Sequence, residues 1–429
     1  MLNQSLPAKA SLPIIIQDCG FISAMGSTHQ EIKLSIADSS FANMQCDSST
    51  LNTHCETVVG KVSTPLASIP KELCRYQSRN NQLALTALRQ IEPRVQSAIE
   101  QFGADRVAVV IGTSTSGISD GETAYKQLLD SEKFPDDFDY SKQELGDTSE
   151  FVAQYLGVTG PCYAISTACS SSGRVFITAK RMLKSGLVDA VVVGGVDTLC
   201  QLTLNGFNGL EALSNTLCQP FSAQRNGINI GESAAIMLLS LQAIESDIAS
   251  ASSAKNSPLN ASSLSTISLS GKKPIALLGA GDSSDAHHIS APHPDGIGAI
   301  KAMQNALDDA NLTASDIGYI NAHGTATPLN DSMESKAIYS LFGSSTPVSS
   351  TKPLTGHTLG AASATEAAIA WYILNYDLPL PKQNCQDKAS DIEISLVEED
   401  VKLTKKAILS NSFAFGGNNI SLIFGYADE

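Results

Sequence analysis

Short apolar runs rich in Val, Ile and Leu recur along the chain, and most are continuous rather than alternating. An alternating strand can leave one face wet, whereas a continuous one needs both faces covered, as when helices lie on each side of a sheet. The runs predict strands over Pro13–Phe21, Val107–Ser114, Asp189–Asp197, Ala234–Leu241, Pro274–Ser283, Ile317–Ala322, Lys406–Phe413 and Ile420–Tyr426. Helical periodicity fills the intervals over Leu73–Gly103, Thr148–Leu156, Ser170–Ser185, Asp295–Ala310, Ser332–Phe342 and Ala361–Tyr376. The expected fold class is α/β.

At 429 residues the chain has room for about two to three domains. One stretch interrupts the pattern: Ser246–Ser270 holds ten serines in 25 residues, too few apolar groups to repay ordering, and is expected to be a loop or linker. It separates an expected first unit, residues 1–245, from a second, residues 274–429, with 246–273 between them. The two units read as distant copies. PIIIQDCGFIS opens one and PIALLGAGDSS the other; DAVVVGGVDT with SAAIMLLSL closes one and KAILSNSFAFGGNN with ISLIFGYA the other. Each copy also carries a helix after a special residue, ACSSSGRVFITAKRML in one and GHTLGAASATEAAIAWYIL in the other. Such a repeat predicts two packed βαβ halves with a site where they meet.

Composition narrows the function. Lys and Arg number 28 against 43 Asp and Glu, a net charge of −15 that offers no field to attract phosphates or anionic lipid. No apolar run reaches the ~20 residues of a membrane span, and the N-terminus lacks a signal-peptide core. The nine cysteines are scattered singly without a CxxC pair, which suits reduced thiols and a cytoplasmic location.

Four segments could carry chemistry. Ile165–Gly173 (ISTACSSSG) places Cys169 on a strand-to-helix turn, where unpaired amides should lower the thiol pKa; burial as a small core residue is the competing reading. Asn321–Pro328 (NAHGTATP) sets His323 just past a strand end. Ser350–Ala361 (STKPLTGHTLGA) sets His357 before a helix, a position that disfavours imidazolium, with Lys352 upstream and Glu366 downstream. Asn411–Asn419 (NSFAFGGNN) joins two aromatics to a Gly-Gly turn that can aim a main-chain N–H at a ligand. One Cys with His partners elsewhere in the chain is a layout for nucleophilic catalysis.

Taken in order, these segments resemble the β-ketoacyl-acyl-carrier-protein synthases, the elongating type II condensing enzymes of the thiolase superfamily. TACSSS resembles the nucleophile elbow, NAHGTATPLND and STKPLTGHTLGAAS the two His motifs, and NSFAFGGNN the C-terminal Gly-rich loop. GFISAMG, GGVDTL, CQPFSAQRNGINIGE and GDSSDAHHISAPHPDG also match. The resemblance runs from Pro13 to Tyr426, poorly over Lys33–Ser68, with the Ser-rich segment extra. It implies a thiolase-like fold whose two halves form a five-layered α-β-α-β-α core.

The roles implied are specific. Cys169 would accept an acyl chain as a thioester. His323 and His357 would assist decarboxylation of a malonyl thioester and stabilise its enolate. Lys352 would hold the His323 region electrostatically, with Glu366 behind it. Backbone N–H groups of Cys169 and Phe413 would form the oxyanion hole, Thr325 and Thr327 would bind the phosphopantetheine arm, and Phe413 or Phe415 would gate the acyl pocket. No cofactor is implied beyond the phosphopantetheine of an acyl carrier protein, and no metal. His287, His288 and His293 are expected to be structural or substrate-lining. Degradative thiolases use a second cysteine, and initiating synthases an Asn at the position of His357, so both are disfavoured. The Gly112–Gly117 loop (GTSTSG) implies an unusual pocket floor, reminiscent of aryl-polyene synthases.

The partner implied is an acyl carrier protein presenting acyl and malonyl groups, met by Lys71, Arg75, Arg79 and Arg225. A homodimer, or a heterodimer with a ketosynthase-like subunit, is also implied. Two other readings share the fold: a chain-length-factor subunit without catalysis, and an acyltransferase that does not decarboxylate.

Overall fold

The computed structural model describes residues 12–53, 55–244, 273–285, 287–405 and 407–427; the Ser-rich stretch 246–270 lies outside the described residues. In the first half the strands are β1 (Ile14–Ile22), β2 (Gln45–Asp47), β3 (Thr57–Gly60), β4 (Val107–Gly112), β5 (Cys162–Ile165), β6 (Ala190–Asp197), β7 (Ile230–Gly231) and β8 (Ser233–Ser240). The second half supplies β9 (Ile275–Ser284), β10 (Ile317–Asn321), β11 (Pro347–Ser349), β12 (Ser395–Leu396), β13 (Ala407–Phe413) and β14 (Asn418–Tyr426). Every residue of β4, β6, β8, β10 and β13 is buried, which is why their apolar residues run together instead of alternating with polar ones, the polar residues falling at strand ends and toward the end of β13.

The repeat is real in three dimensions. The first half pairs in the order β1-β8-β6-β4-β5 and the second in the order β9-β14-β13-β10-β11, with β12 added beyond β11. Directions match as well: two antiparallel pairings followed by two parallel ones in each half. Ile14 with Leu277 and Ile15 with Ala276 join β1 to β9, so the halves form one continuous sheet.

Between the halves lie two helices, Ser171–Ser185 and Ala362–Tyr376. The latter is buried from Ala362 to Leu374, as a helix apolar on every side must be. It touches strands of both halves, and so does Ser171–Ser185, where Phe176 meets Phe424 of β14 edge-to-face at 6.0 Å. Helix Arg79–Phe102 covers β1, β6 and β8 on one outer face, and helix Ile297–Ala310 covers β9 and β14 on the other. The result is five layers, α-β-α-β-α.

Some expectations need revision. The helix expected over Leu73–Gly103 is a 3₁₀ turn, Lys71–Tyr76, followed by a helix that starts at Arg79, because the Ser78 hydroxyl caps it by accepting the Asn81 N–H. Helices His29–Asp38, Ile118–Ser131 and Gln201–Gly209 escape the periodicity argument; Ile118–Ser131 buries only Ala124 and leaves Tyr125 and Leu129 exposed. Strand β5 escapes it too, being four residues long and at a sheet edge, and it leaves Cys162 partly exposed rather than in the core.

Gly112 ends β4 directly beneath the start of helix Ser171–Ser185: a Cβ there would lie 2.5 Å from both Ser172 N and Ser172 Cα. Gly112→Ala should therefore cost about 1–3 kcal/mol, read as a lowered Tm by calorimetry; an unchanged Tm would show that the helix start can give way.

Candidate active site

Strand β5 delivers the chain to a tight turn whose Ala168 has φ 53°, the left-handed region that a residue with a Cβ adopts only at some cost. The turn is closed by Ser171, whose hydroxyl accepts the Thr167 N–H at 2.8 Å and whose N–H donates to Ala168 O at 3.0 Å. Cys169 is thereby presented just ahead of helix Ser171–Ser185, 8% exposed. Its sulfur faces two main-chain N–H groups, its own and that of Phe415.

His357 Nε2 lies 3.0 Å from Cys169 Sγ, and its Nδ1 accepts the Leu359 N–H at 3.1 Å. That second bond determines the tautomer: with Nδ1 an acceptor, the ring proton sits on Nε2 and points at the sulfur. His323 follows β10. Its N–H and that of Gly324 each donate to one oxygen of Glu334, both at 2.7 Å. The two imidazole rings are perpendicular with centroids 5.4 Å apart, and the sulfur and one nitrogen of each ring fall within 4.8 Å of one another. Residues separated by up to 188 positions thus meet at one point.

The site is dry, and that sets its charges. Burial pushes the Cys169 thiol up to about 11, opposed by the charge of Lys352 and by the N–H groups of Cys169 and Phe415. The lowered thiol pKa expected from the helix end is overturned: desolvation outweighs the amides. Burial, and then the charge of Lys352, hold His323 and His357 well below the usual imidazole range, so both rings are neutral. Lys352 Nζ donates to Glu366 Oε1 at 2.6 Å, and the Ser412 hydroxyl donates to Glu366 Oε2 at 3.3 Å. The group that grips the His323 backbone is Glu334, which the sequence motifs did not single out; burial pushes its pKa up to about 7. Its signal was faint, a Glu on the buried face of helix Pro328–Phe342.

A cleft of ≈ 440 Å³ opens above the sulfur, lined by Cys169, His323, His357, Phe207, Phe413 and Phe415 among others. Thr325 and Thr327 form part of its wall, with their hydroxyls 3.0 Å apart. The amide expected from Phe413 is a correction. Phe413 is the last residue of β13, paired with Asn419, and the chain turns beyond it through Gly416 (φ 80°) and Gly417 (φ 76°), so Phe415 is the one that turns its N–H to the sulfur. The Phe413 ring packs against His323 at 6.2 Å, and the Phe415 ring against Phe207 at 6.1 Å. His288 lies at the cleft wall and His287 stacks edge-on against His293.

Two other expectations change. No residue of the Gly112–Gly117 loop lines this cleft, because Thr113 and Thr115 turn their hydroxyls onto Asp197. Of the expected docking cations, Arg79 is bound through Nε to the fully buried Glu232 at 2.9 Å, and Arg225, 8% exposed, is bound to Asp391 at 2.8 Å. Both are engaged in ion pairs within the chain. Arg75 lies over the Tyr76 ring near Asp147 and Glu150, and Lys71 is exposed.

A sulfur and two imidazoles are donor types that zinc accepts. The Leu359 N–H on Nδ1 nevertheless keeps a proton on the nitrogen of His357 that faces the set, so a metal would first have to displace that tautomer.

Residues 50–243 match the family described as beta-ketoacyl synthase, N-terminal domain, and residues 276–386 match beta-ketoacyl synthase, C-terminal domain. The 3-oxoacyl-[acyl-carrier-protein] synthase 2 of Staphylococcus aureus (strain COL) is 32% identical over 367 residues, 83% of this chain and 84% of that protein. The Vibrio harveyi protein of the same description is 34% identical over 341 residues, 76% of this chain and 77% of its own length. Among solved structures, one described as a ketosynthase (ApeO) in complex with its chain length factor (ApeC) from Xenorhabdus doucetiae superposes with a TM-score of 0.87 at 42% identity, covering 99% of this chain and 100% of that one. The ishigamide ketosynthase/chain length factor gives 0.81 at 25% identity, covering 97% and 100%.

Two titrations check the electrostatics. Alkylation of Cys169 by iodoacetamide should accelerate about tenfold per pH unit across neutrality, because a raised thiol pKa leaves little thiolate there; a plateau near neutral pH would contradict it. NMR of the two imidazoles should show no protonation at about pH 6.5, where an ordinary histidine is half charged. Replacing the buried pair by Lys352→Met with Glu366→Gln removes the cation that repels imidazolium and should raise both midpoints.

Proposed function

The chain belongs to the β-ketoacyl synthase family and is an enzyme of the 3-oxoacyl-[acyl-carrier-protein] synthase class; from there we propose that Cys169 carries the growing acyl chain and that His323 and His357 serve its condensation with a malonyl unit. The observation that carries this reading is a sulfur within reach of two neutral imidazoles in one buried site.

In the first half-reaction Sγ attacks the acyl thioester on the carrier. The bond from carbon to the pantetheine sulfur breaks as the bond to Cys169 forms, and the Cys169 proton leaves with the carrier thiol. The carbonyl oxygen meets the N–H groups of Cys169 and Phe415. In the second half-reaction the bond between the malonyl methylene and its carboxylate breaks, releasing CO2. The electron pair left behind makes an enolate whose oxygen is met by the two imidazoles. The enolate carbon attacks the thioester on Cys169, giving 3-oxoacyl-carrier protein and returning the sulfur. Neutral imidazoles suit this chemistry because they donate hydrogen bonds without supplying the acidic proton that would quench the carbanion. One such donor is worth about 3 kcal/mol in a dry site. Loss of CO2 generates the carbanion, so the chemistry calls for no resident cofactor. In this reading the hydroxyls of Thr325 and Thr327 bind the phosphopantetheine arm, and their position on the cleft wall supports it.

We read the chain as the catalytic partner beside a second ketosynthase-like subunit. Likeness at 42% identity to a ketosynthase solved with its chain length factor supports the pairing, and Cys169 beside His323 and His357 supports the catalytic role over the chain-length-factor role.

The test is CO2 release and carrier-bound product, by mass spectrometry, from acyl- and malonyl-carrier protein. Cys169→Ala should abolish acyl loading, and His323→Ala should cut decarboxylation by about 100-fold while leaving Cys169 able to load. Acyl transfer by the wild type without any CO2 would favour the acyltransferase reading instead.

A further inference from the structure

At the end of β6 stands a wholly buried carboxylate for which the condensation chemistry has no use. Asp197 Oδ1 accepts four donors: Thr113 Oγ1 at 2.9 Å, the N–H groups of Ser114 and Thr115 at 2.7 Å each, and Thr115 Oγ1 at 2.8 Å. Its Oδ2 accepts the Ala361 N–H at 2.9 Å, a donor shared with the Thr358 carbonyl at 3.0 Å. A single side chain thus ties the loop after β4 to the turn after His357.

That turn is under strain. Leu359 sits at φ 52°, a left-handed conformation that a branched residue keeps only where its surroundings insist on it. Leu359 also supplies the N–H that occupies His357 Nδ1, and Ala361, two residues on, is held by Asp197. If the tether goes, Leu359 can relax, its N–H leaves Nδ1, and the imidazole proton is free to move there. Nε2, the nitrogen 3.0 Å from Cys169 Sγ, would then lose the hydrogen it donates.

We propose that Asp197 is a positioning residue that sets the tautomer of His357 by holding the strained turn Thr358–Ala361, and that it links this tautomer to the Thr113–Thr115 loop. The inference rests on the reading of His357 as a hydrogen-bond donor to the reacting groups. Burial pushes the pKa of Asp197 up to about 6, opposed by the donors around it, so it is ionised above that pH and accepts all five bonds.

The test is Asp197→Asn in the full-length enzyme with ¹⁵N-labelled histidine. An asparagine has one acceptor oxygen, which the four donors on one side will claim, so its NH2 faces the Ala361 N–H and only the tether is cut. In the wild type His357 should show an unprotonated Nδ1 and a protonated Nε2; in the variant the two ¹⁵N shifts should converge as tautomers mix. Decarboxylation kcat should fall about tenfold with KM for malonyl-carrier protein unchanged. Asp197→Ala provides a second route if Asp197→Asn does not fold: it removes the acceptor of the Ala361 N–H without adding bulk at the turn. A wild-type tautomer in either folded variant overturns the proposal. Full decarboxylation by His357→Ala would instead overturn the donor role of His357, whatever the tautomer of the wild type, so the two failures can be told apart.

Discussion

A helix with no wet side must be enclosed, and the helix Ala362–Tyr376 has none. Enclosing it requires strands on both sides, and each half of the continuous sheet supplies one side. The second central helix, Ser171–Ser185, packs beside it and against strands of both halves. Each helix follows the corresponding outer strand of its half, β5 in one and β11 in the other, and packs between the halves against strands of both. Cys169 precedes one helix and His357 the other, so burial of the helices brings sulfur and imidazole to 3.0 Å.

Dryness has consequences beyond that contact. A thiol taken from water is harder to ionise, and here the penalty outweighs nearby amides and the Lys352 charge. Imidazoles taken from water resist protonation, which leaves them as neutral donors. The carboxylates in this region are tolerated because each is bonded: Glu366 to Lys352, Glu334 to two backbone N–H groups, Asp197 to five donors. Each also anchors a piece of backbone or a cation next to a reacting group, so the buried charges hold the site in shape rather than react.

Burial and pairing also account for the features that the chain's order of residues concealed. An arginine in a sequence looks like a surface cation, but Arg79 and Arg225 have buried or neighbouring carboxylates to satisfy. Glu232 and Asp391 lie far from them in sequence, so nothing local announced the pairs. The amide facing the Cys169 sulfur was misplaced by two residues for a related reason. Both Phe413 and Phe415 stand in the right motif, and only the end of the β13–β14 ladder decides which amide is left free of it.

Periodicity and composition were enough to reveal an acidic α/β chain, a twofold repeat and four chemically loaded segments, because these depend on which residue types follow one another. The continuous runs of β4 and β6 could be read directly, since a strand covered on both faces carries its burial in its own composition. The edge strand β5 and helix Ile118–Ser131 could not, since little of either is buried. The state of protonation, the direction of each N–H and the partner of each charge were decided only by tertiary structure. They depend on distances between residues far apart in the chain and on how completely water is excluded, quantities that exist only once the halves have closed on the central helices.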